Sequence, residues 1–199
     1  MPRMYIISGC NGSGKTTASY TLLPEMLECN QFVNSDEFAK SLSPFNPSEA
    51  SVTASRFMLR KIYYLLDINA DFCVETTLAT RSLVGIINDA KAKGYSITIL
   101  YFWLSSPELA ISRVKSRVAA GGHNIPEDVV RRRYYMGLNY LFGTYIPLCD
   151  RWVLADNSAS PFTVVAEGAP GITSIKNEEK YNTIYEIAHS PESRRSEDA

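Results

Sequence analysis

The patterning of the chain predicts an α/β fold, a parallel sheet with helices on both faces. Three observations carry this. Short β-like runs alternate with longer helix-compatible stretches along the 199 residues. A glycine-rich turn joins the first run to the first helical stretch. Prolines and glycines stand where helices would start and stop. The length suits one well-buried domain, expected over residues 1–190, and is too short for two typical ones. A polar, frayed tail is expected at 191–199.

Taken in order, the first strand is predicted at Met4–Ser8, where Met4-Tyr5-Ile6-Ile7 is an unbroken apolar run suited to a buried strand. A helix is expected over Gly14–Glu28, then a short strand at Gln31–Asn34. Asn46-Pro47-Ser48-Glu49 reads as the start of a helix reaching Asn69, and Asp71–Glu75 as the third strand. Ser82–Lys93 follows as a helix stopped by Gly94, ahead of the strand Ser96–Trp103. Ser106-Pro107-Glu108 opens a helix to Ala119, and a second one runs from Pro126 to Leu148. Strands at Arg151–Ala155 and Phe162–Glu167 and a helix at Glu178–Ala188 complete the pattern.

The turn after the first strand is Gly9-Cys10-Asn11-Gly12-Ser13-Gly14-Lys15-Thr16, a complete G-x-x-x-x-G-K-T phosphate-binding loop. Its setting, strand then turn then helix N-terminus, is what gives the motif meaning. Backbone N–H groups of such a turn converge on phosphate oxygens, and the helix dipole adds to the attraction. Gly9, Asn11, Gly12, Ser13, Gly14, Lys15, Thr16 and Thr17 are therefore the expected nucleotide contacts. Lys15 suits the β- and γ-phosphates and the Thr16 hydroxyl a magnesium ion, so the fold class sharpens to a P-loop NTPase binding ATP and Mg2+. No Asn-Lys-x-Asp guanine-reading motif occurs, which favours ATP over GTP.

Composition narrows the partners. The net charge of −1 argues against nucleic acid and membrane surfaces. No run approaches the ~18–20 apolar residues of a membrane span, and no secretory leader is seen. The four scattered cysteines lack a C-x-x-C pair and read as reduced thiols of a cytoplasmic protein. Cys10 lies in the loop, where a helix terminus can lower a thiol pKa, but a neutral filler role fits better.

Ligands of parallel sheets gather at the carboxyl ends of the strands. After the second strand comes Asn34-Ser35-Asp36-Glu37, where Asp36 can accept a proton from a substrate hydroxyl or merely cap a helix. After the third comes Glu75-Thr76-Thr77, where Glu75 and Thr77 can bind sugar hydroxyls or magnesium waters, or Glu75 can cap the next helix. Arg113 and Arg117 share one helical face, Gly121-Gly122 breaks the run, and Arg131-Arg132-Arg133 follows. This is the composition of a mobile helical lid over about 107–148 that brings cations over a triphosphate. An exposed basic face is the competing reading. The arginine triplet cannot all enter one site, because successive helical residues point about 100° apart. His123, in the hinge, can orient substrate or phosphate or pack the hinge.

The ordered combination of the loop, Asn34-Ser35-Asp36-Glu37, Glu75-Thr76-Thr77-Leu78, Arg113-Val114-x-x-Arg117 and Gly121-Gly122-His123-Asn124-Ile125-Pro126 resembles the zeta toxin family of P-loop kinases. Arg132-Arg133-Tyr134 and Trp152 through Asp156-Asn157-Ser158 extend the likeness. The resemblance implies ATP-dependent phosphorylation of a sugar hydroxyl on UDP-N-acetylglucosamine or a related nucleotide sugar. It implies Asp36 as general base, Lys15 on the phosphates, Thr16 on magnesium, Glu75 and Thr77 on the sugar, and lid arginines on the transferring group. Arg113, Arg117 and Arg133 are the arginines assigned, the choice between Arg132 and Arg133 staying open. A protein antitoxin is a further partner it suggests. A kinase for another metabolite or a nucleic-acid end, and an ATP-gated interaction protein without catalysis, are the alternatives.

Overall fold

The computed structural model describes residues 1–25, 28–43, 49–122 and 124–195. In chain order the first elements are β1 (Arg3–Ser8), α1 (Lys15–Glu25), β2 (Phe32–Val33), α2 (Ser35–Leu42), α3 (Ser51–Asp67), β3 (Phe72–Thr76) and α4 (Leu83–Ala92). Then come β4 (Ser96–Trp103), α5 (Pro107–Ala119), α6 (Glu127–Tyr140), β5 (Arg151–Asp156), β6 (Thr163–Ala169), β7 (Ile172–Ile175), α7 (Glu178–Ala188) and α8 (Pro191–Arg195). A π-helical turn, Leu141–Tyr145, and a 3-10 turn, Ile146–Leu148, prolong α6.

The strands form one seven-stranded sheet in the order β2-β3-β1-β4-β5-β6-β7. β1 lies between β3 and β4, with Ile6 paired to Val74 on one side and Ile99 on the other. All three residues are fully buried, as helices on both faces require. β1 to β5 are parallel, but β6 pairs antiparallel with β5 and β7 antiparallel with β6. The sheet is thus mixed rather than wholly parallel. Only a short segment separates β5 from β6, too short for a crossover helix, so the chain must reverse. β7, absent from the sequence reading, follows by a two-residue Pro170-Gly171 turn.

Three helical expectations change. The Asn34–Glu37 segment opens a helix, α2, where no helix was expected. Asn34 is its N-cap, its side-chain oxygen accepting from Asp36 N at 2.8 Å, with Asp36 and Glu37 in the favourable first turn. The Pro47 start and residues 26–27 of the first helix lie outside the described residues, and α3 begins at Ser51. Part of the expected frayed tail is α8, whose buried Ser193 donates to Ala188 O and Ser190 O at 2.8 and 2.7 Å. Residues 196–199 lie outside the described residues.

Helix α5 starts as read, with Ser106 Oγ accepting from Leu109 N at 3.1 Å and Pro107 in the first turn. Helix α6 is pinned by Tyr134, which is 2% exposed. Its hydroxyl accepts from Trp103 Nε1 at 3.0 Å and donates to Leu104 O at 2.9 Å. Tyr134 therefore fixes α6 to the end of β4.

Candidate active site

A cleft of about 530 Å³ opens at the carboxyl edge of β1, β2 and β3. It is lined by Asn11, Gly12, Gly14, Lys15, Thr16 and Thr17 of the loop, by Asp36, Glu75 and Thr77, and by Arg113, Arg117 and Arg133. Elements distant in sequence thus bring most of the expected residues to one place. Gly9 and Ser13 lie beneath it, buried. His123 lies outside the described residues.

The loop is shaped by its glycines. Gly12 and Gly14 have φ of +81° and +83°. A Cβ on Gly12 would sit 2.6 Å from Ala110 O, and one on Gly14 2.5 Å from Asn157 Nδ2. The conformation is therefore set by close approach of α5 and the β5 tip as well as by the phosphate it would admit. Lys15 Nζ donates to Cys10 O at 2.8 Å. Burial pulls Lys15 below its usual pKa, with Glu75, Cys10 and Asp36 opposing the shift. Burial pushes the Cys10 thiol up to about 11, so it is a neutral filler.

Thr16 Oγ1 donates to the Glu75 carboxylate, 3.0 Å from one oxygen and 2.9 Å from the other. Burial raises Glu75 above the ordinary carboxylate range; Lys15 and the Thr16 bond favour the ion, while nearby Asp36 opposes it. A hydroxyl beside a carboxylate, under a phosphate loop, is an oxygen donor set that fits magnesium. No group of three or more His, Cys, Asp or Glu that could hold a metal occurs among the described residues.

The arginines divide. Arg133 Nη1 donates to Asn11 Oδ1 at 3.1 Å; burial lowers its pKa and Asp36 opposes the shift. Arg131 turns away to Glu108, and Arg132 is exposed. Of the triplet, Arg133 is the one at the cleft. Arg113 donates from both terminal nitrogens to Asn157 O and Ser158 O, each at 2.8 Å. This fork ties α5 to the tip of β5. Arg117 lines the cleft one turn further along. Gly122 N donates to Arg117 O at 2.9 Å, so the glycine pair closes the helix as well as breaking it.

One contributor was not assigned a role from sequence. Asn157 Nδ2 donates to Ser13 O at 2.7 Å, holding the loop from the β5 side. The signal was the polar Asp156-Asn157-Ser158 cluster just past a strand, at the sheet edge where ligands gather. Asp156 is itself buried. Burial favours its neutral form, but Lys180 Nζ at 2.6 Å and Ser158 N at 2.8 Å outweigh this and hold its pKa below the usual value.

The family model described as zeta toxin matches residues 1–188. The chain belongs to the zeta toxin family. It is a zeta-toxin-like P-loop kinase, a phosphotransferase. An uncharacterized protein of Haemophilus influenzae is 31% identical over 131 residues, 63% of this chain and 88% of its own. Two solved structures show the same fold. One is the AvrRxo1-ORF1:-ORF2 complex with ATP, at TM-score 0.76 and 20% identity over 96% of this chain. This chain covers 65% of it, just under two thirds. The other is from the PezAT toxin-antitoxin system of Streptococcus pneumoniae, at TM-score 0.68 and 14% identity, covering 100% of this chain and 84% of that one. Among the described residues no helix is long and apolar enough to cross a membrane.

Proposed function

We propose that this zeta toxin family member transfers the γ-phosphoryl group of ATP, with Mg2+, to a sugar hydroxyl of a nucleotide sugar of the UDP-N-acetylglucosamine type, in the cytoplasm. The observation that carries it is the convergence of Asp36 on Lys15 and Arg133. Asp36 favours the charged form of both cations, so a carboxylate faces the phosphate-binding groups across one cleft. A base, an acceptor hydroxyl and a γ-phosphate can then lie in line.

In this reading Asp36 takes the proton as the acceptor oxygen forms its bond to the γ-phosphorus, and the bond to the β-phosphate bridging oxygen breaks to release ADP. Lys15 leaves Cys10 O for the β- and γ-phosphates, and Arg133 meets charge developing on the equatorial oxygens. The Thr16 hydroxyl would hold magnesium, which when bound would supply charge neutralisation at the phosphates. Glu75 faces Thr16, which favours its service to the metal over the sugar, and leaves Thr77 as the acceptor contact on this strand end. Arg113, engaged with two backbone carbonyls, holds the β5 tip and through Asn157 the loop. The solved relative in a toxin-antitoxin system makes a protein antitoxin the partner to seek, by co-purification with the product of an adjacent gene.

Incubation with Mg2+, ATP and a panel of UDP-sugars, followed by mass spectrometry, tests the reading. A gain of one phosphoryl group on a sugar supports it. ATP binding with no phosphorylated product from any UDP-sugar would shift the acceptor to another metabolite. Full transfer by an Asp36→Asn variant would remove the base.

A further inference from the structure

The turn that follows β5 is tied to four separate elements. Asn157 Nδ2 donates to Ser13 O of the phosphate loop at 2.7 Å, and Asn157 N donates to Trp103 O at the end of β4 at 2.9 Å. Ser105 N donates to Ser158 Oγ at 2.8 Å, and the Arg113 fork from α5 closes on the Asn157 and Ser158 carbonyls. The fourth tie is ionic. Lys180 Nζ of α7 lies 2.6 Å from Asp156 Oδ2, while Asp156 Oδ1 accepts from Ser158 N at 2.8 Å. One carboxylate thus grips α7 with one oxygen and the turn with the other.

Local chemistry does not account for Lys180. Asn177 caps α7 by accepting from Lys180 N at 3.0 Å, and Glu178 and Glu179 suit the positive end of the helix dipole. A lysine in the same first turn opposes that dipole. Its ammonium instead reaches a carboxylate whose side chain is only 8% exposed. Removing that cation would leave the buried Asp156 charge to Ser158, which is costly. Across the turn, Ser13 is fully buried, and its hydroxyl is the one buried side-chain polar atom without a hydrogen bond among the described residues. Ser13 is therefore held through its backbone, by Asn157 on its carbonyl and by its own N–H on Cys10 O at a longer 3.2 Å.

We infer that Lys180 is a positioning residue for the phosphate loop, acting through Asp156, the 156–158 turn and Asn157. Among the described residues none of α7 lines the cleft, so the effect is transmitted rather than direct. The last step follows from peptide geometry. The Ser13 carbonyl and the Gly14 N–H belong to one planar trans unit, so a bond that fixes the carbonyl also fixes the direction of the N–H. Gly14 lines the cleft, where its N–H is one of those that would cradle phosphate. The inference rests on the proposed function only in taking ATP as the ligand of the loop.

Equilibrium titration of ATP with Mg2+ tests this on wild type, Lys180→Met, Lys180→Arg and a control, Ile184→Val, which trims a fully buried side chain of the same helix. Lys180→Met keeps the stem and removes the charge. It should weaken ATP binding about 3- to 10-fold, within the range for residues coupled to a site through bonded contacts, and Lys180→Arg should restore most of the loss. Ile184→Val should lower Tm and leave ATP affinity unchanged. Hydrogen exchange of the loop amides should quicken in Lys180→Met and not in Ile184→Val. Unchanged affinity in Lys180→Met, or an equal loss in Ile184→Val, overturns the inference. If wild type binds no ATP, the nucleotide reading fails, and exchange in the loop decides Lys180 separately. Faster exchange in Lys180→Met then supports the assignment, and equal exchange overturns it.

Discussion

Replacing Glu75 by Gln should weaken magnesium-dependent ATP binding much more than it weakens acceptor binding. Both carboxylate oxygens lie within 3.0 Å of Thr16 Oγ1, the expected metal ligand. Gln keeps the volume and one acceptor but removes the charge. Hydrogen bonds to a charged group are worth about 1.5–3 kcal/mol, which corresponds to roughly 10- to 150-fold in affinity. Acidity supplies a second signature. Burial raises the Glu75 pKa above its ordinary 4.5, and the ionised form is the one that serves a cation. Magnesium dependence in wild type should therefore fade on acidification while still above that ordinary value, and the Gln variant should lack this limb. The stability sign runs the other way. A carboxyl whose folded pKa is raised favours folding when protonated, a contribution present below the unfolded pKa and lost as pH rises through the folded one. Gln at this position should then melt no lower than wild type at neutral pH, which separates lost binding from lost fold. Calorimetric titration of ATP with and without Mg2+, from about pH 5 to 8, reads all of this. Unchanged magnesium dependence together with a raised acceptor KM would return Glu75 to the sugar.

Asp36→Asn should leave ATP affinity nearly intact and lower transfer by about 10²-fold or more, the scale of a positioned general base; equal losses in binding and transfer would make Asp36 a structural or metal residue. Asn157→Ala should raise the KM for ATP several-fold with a fall in Tm of about 2–4 °C, because one hydrogen bond worth about 1 kcal/mol is removed from the loop. A normal KM would deny Asn157 its hold on Ser13. Tyr134→Phe leaves the buried Trp103 N–H and Leu104 carbonyl without their shared partner. It should cost about 2–3 kcal/mol by denaturant melts, and a change below about 0.5 kcal/mol would mean that α6 is held by packing alone.

What could be read from sequence was what local chemistry decides. The loop is contiguous, so its glycines, lysine and threonine announce themselves. The α5 start is equally local, a serine cap followed by proline. Asn34-Ser35-Asp36-Glu37 carries a capping signal as plain as that one, and Phe38 and Leu42 share a helical face, but α2 has only eight residues and follows a two-residue strand, so the segment read as a strand-end loop. The reversal at β6 depends on a connection too short for a helix, and β7 is a short, largely exposed strand whose ladder partners lie in β6. Arg113 shows the limit most clearly. Its type and spacing suggested a cation for phosphate, yet its two partners are carbonyls 44 and 45 residues away. Only tertiary structure selects among the acceptors open to an arginine. The same holds for Arg131 to Arg133, where the helical period requires divergence and the Glu108 pairing settles which residue turns away.

Arg133 immediately precedes Tyr134, the residue that bolts α6 to the sheet. Its guanidinium donates to Asn11 of the phosphate loop at 3.1 Å. In the proposed transfer, a cation held by the fold itself would stabilise charge on the phosphoryl group whether or not an alcohol is bound. Water that enters beside Asp36 meets the same surroundings as a sugar hydroxyl. Such a site would leak: some ATP should be hydrolysed without an acceptor, and restraint would come from how well the cleft excludes solvent. In a cell holding this protein without its acceptor, the first harm would be a slow drain on ATP.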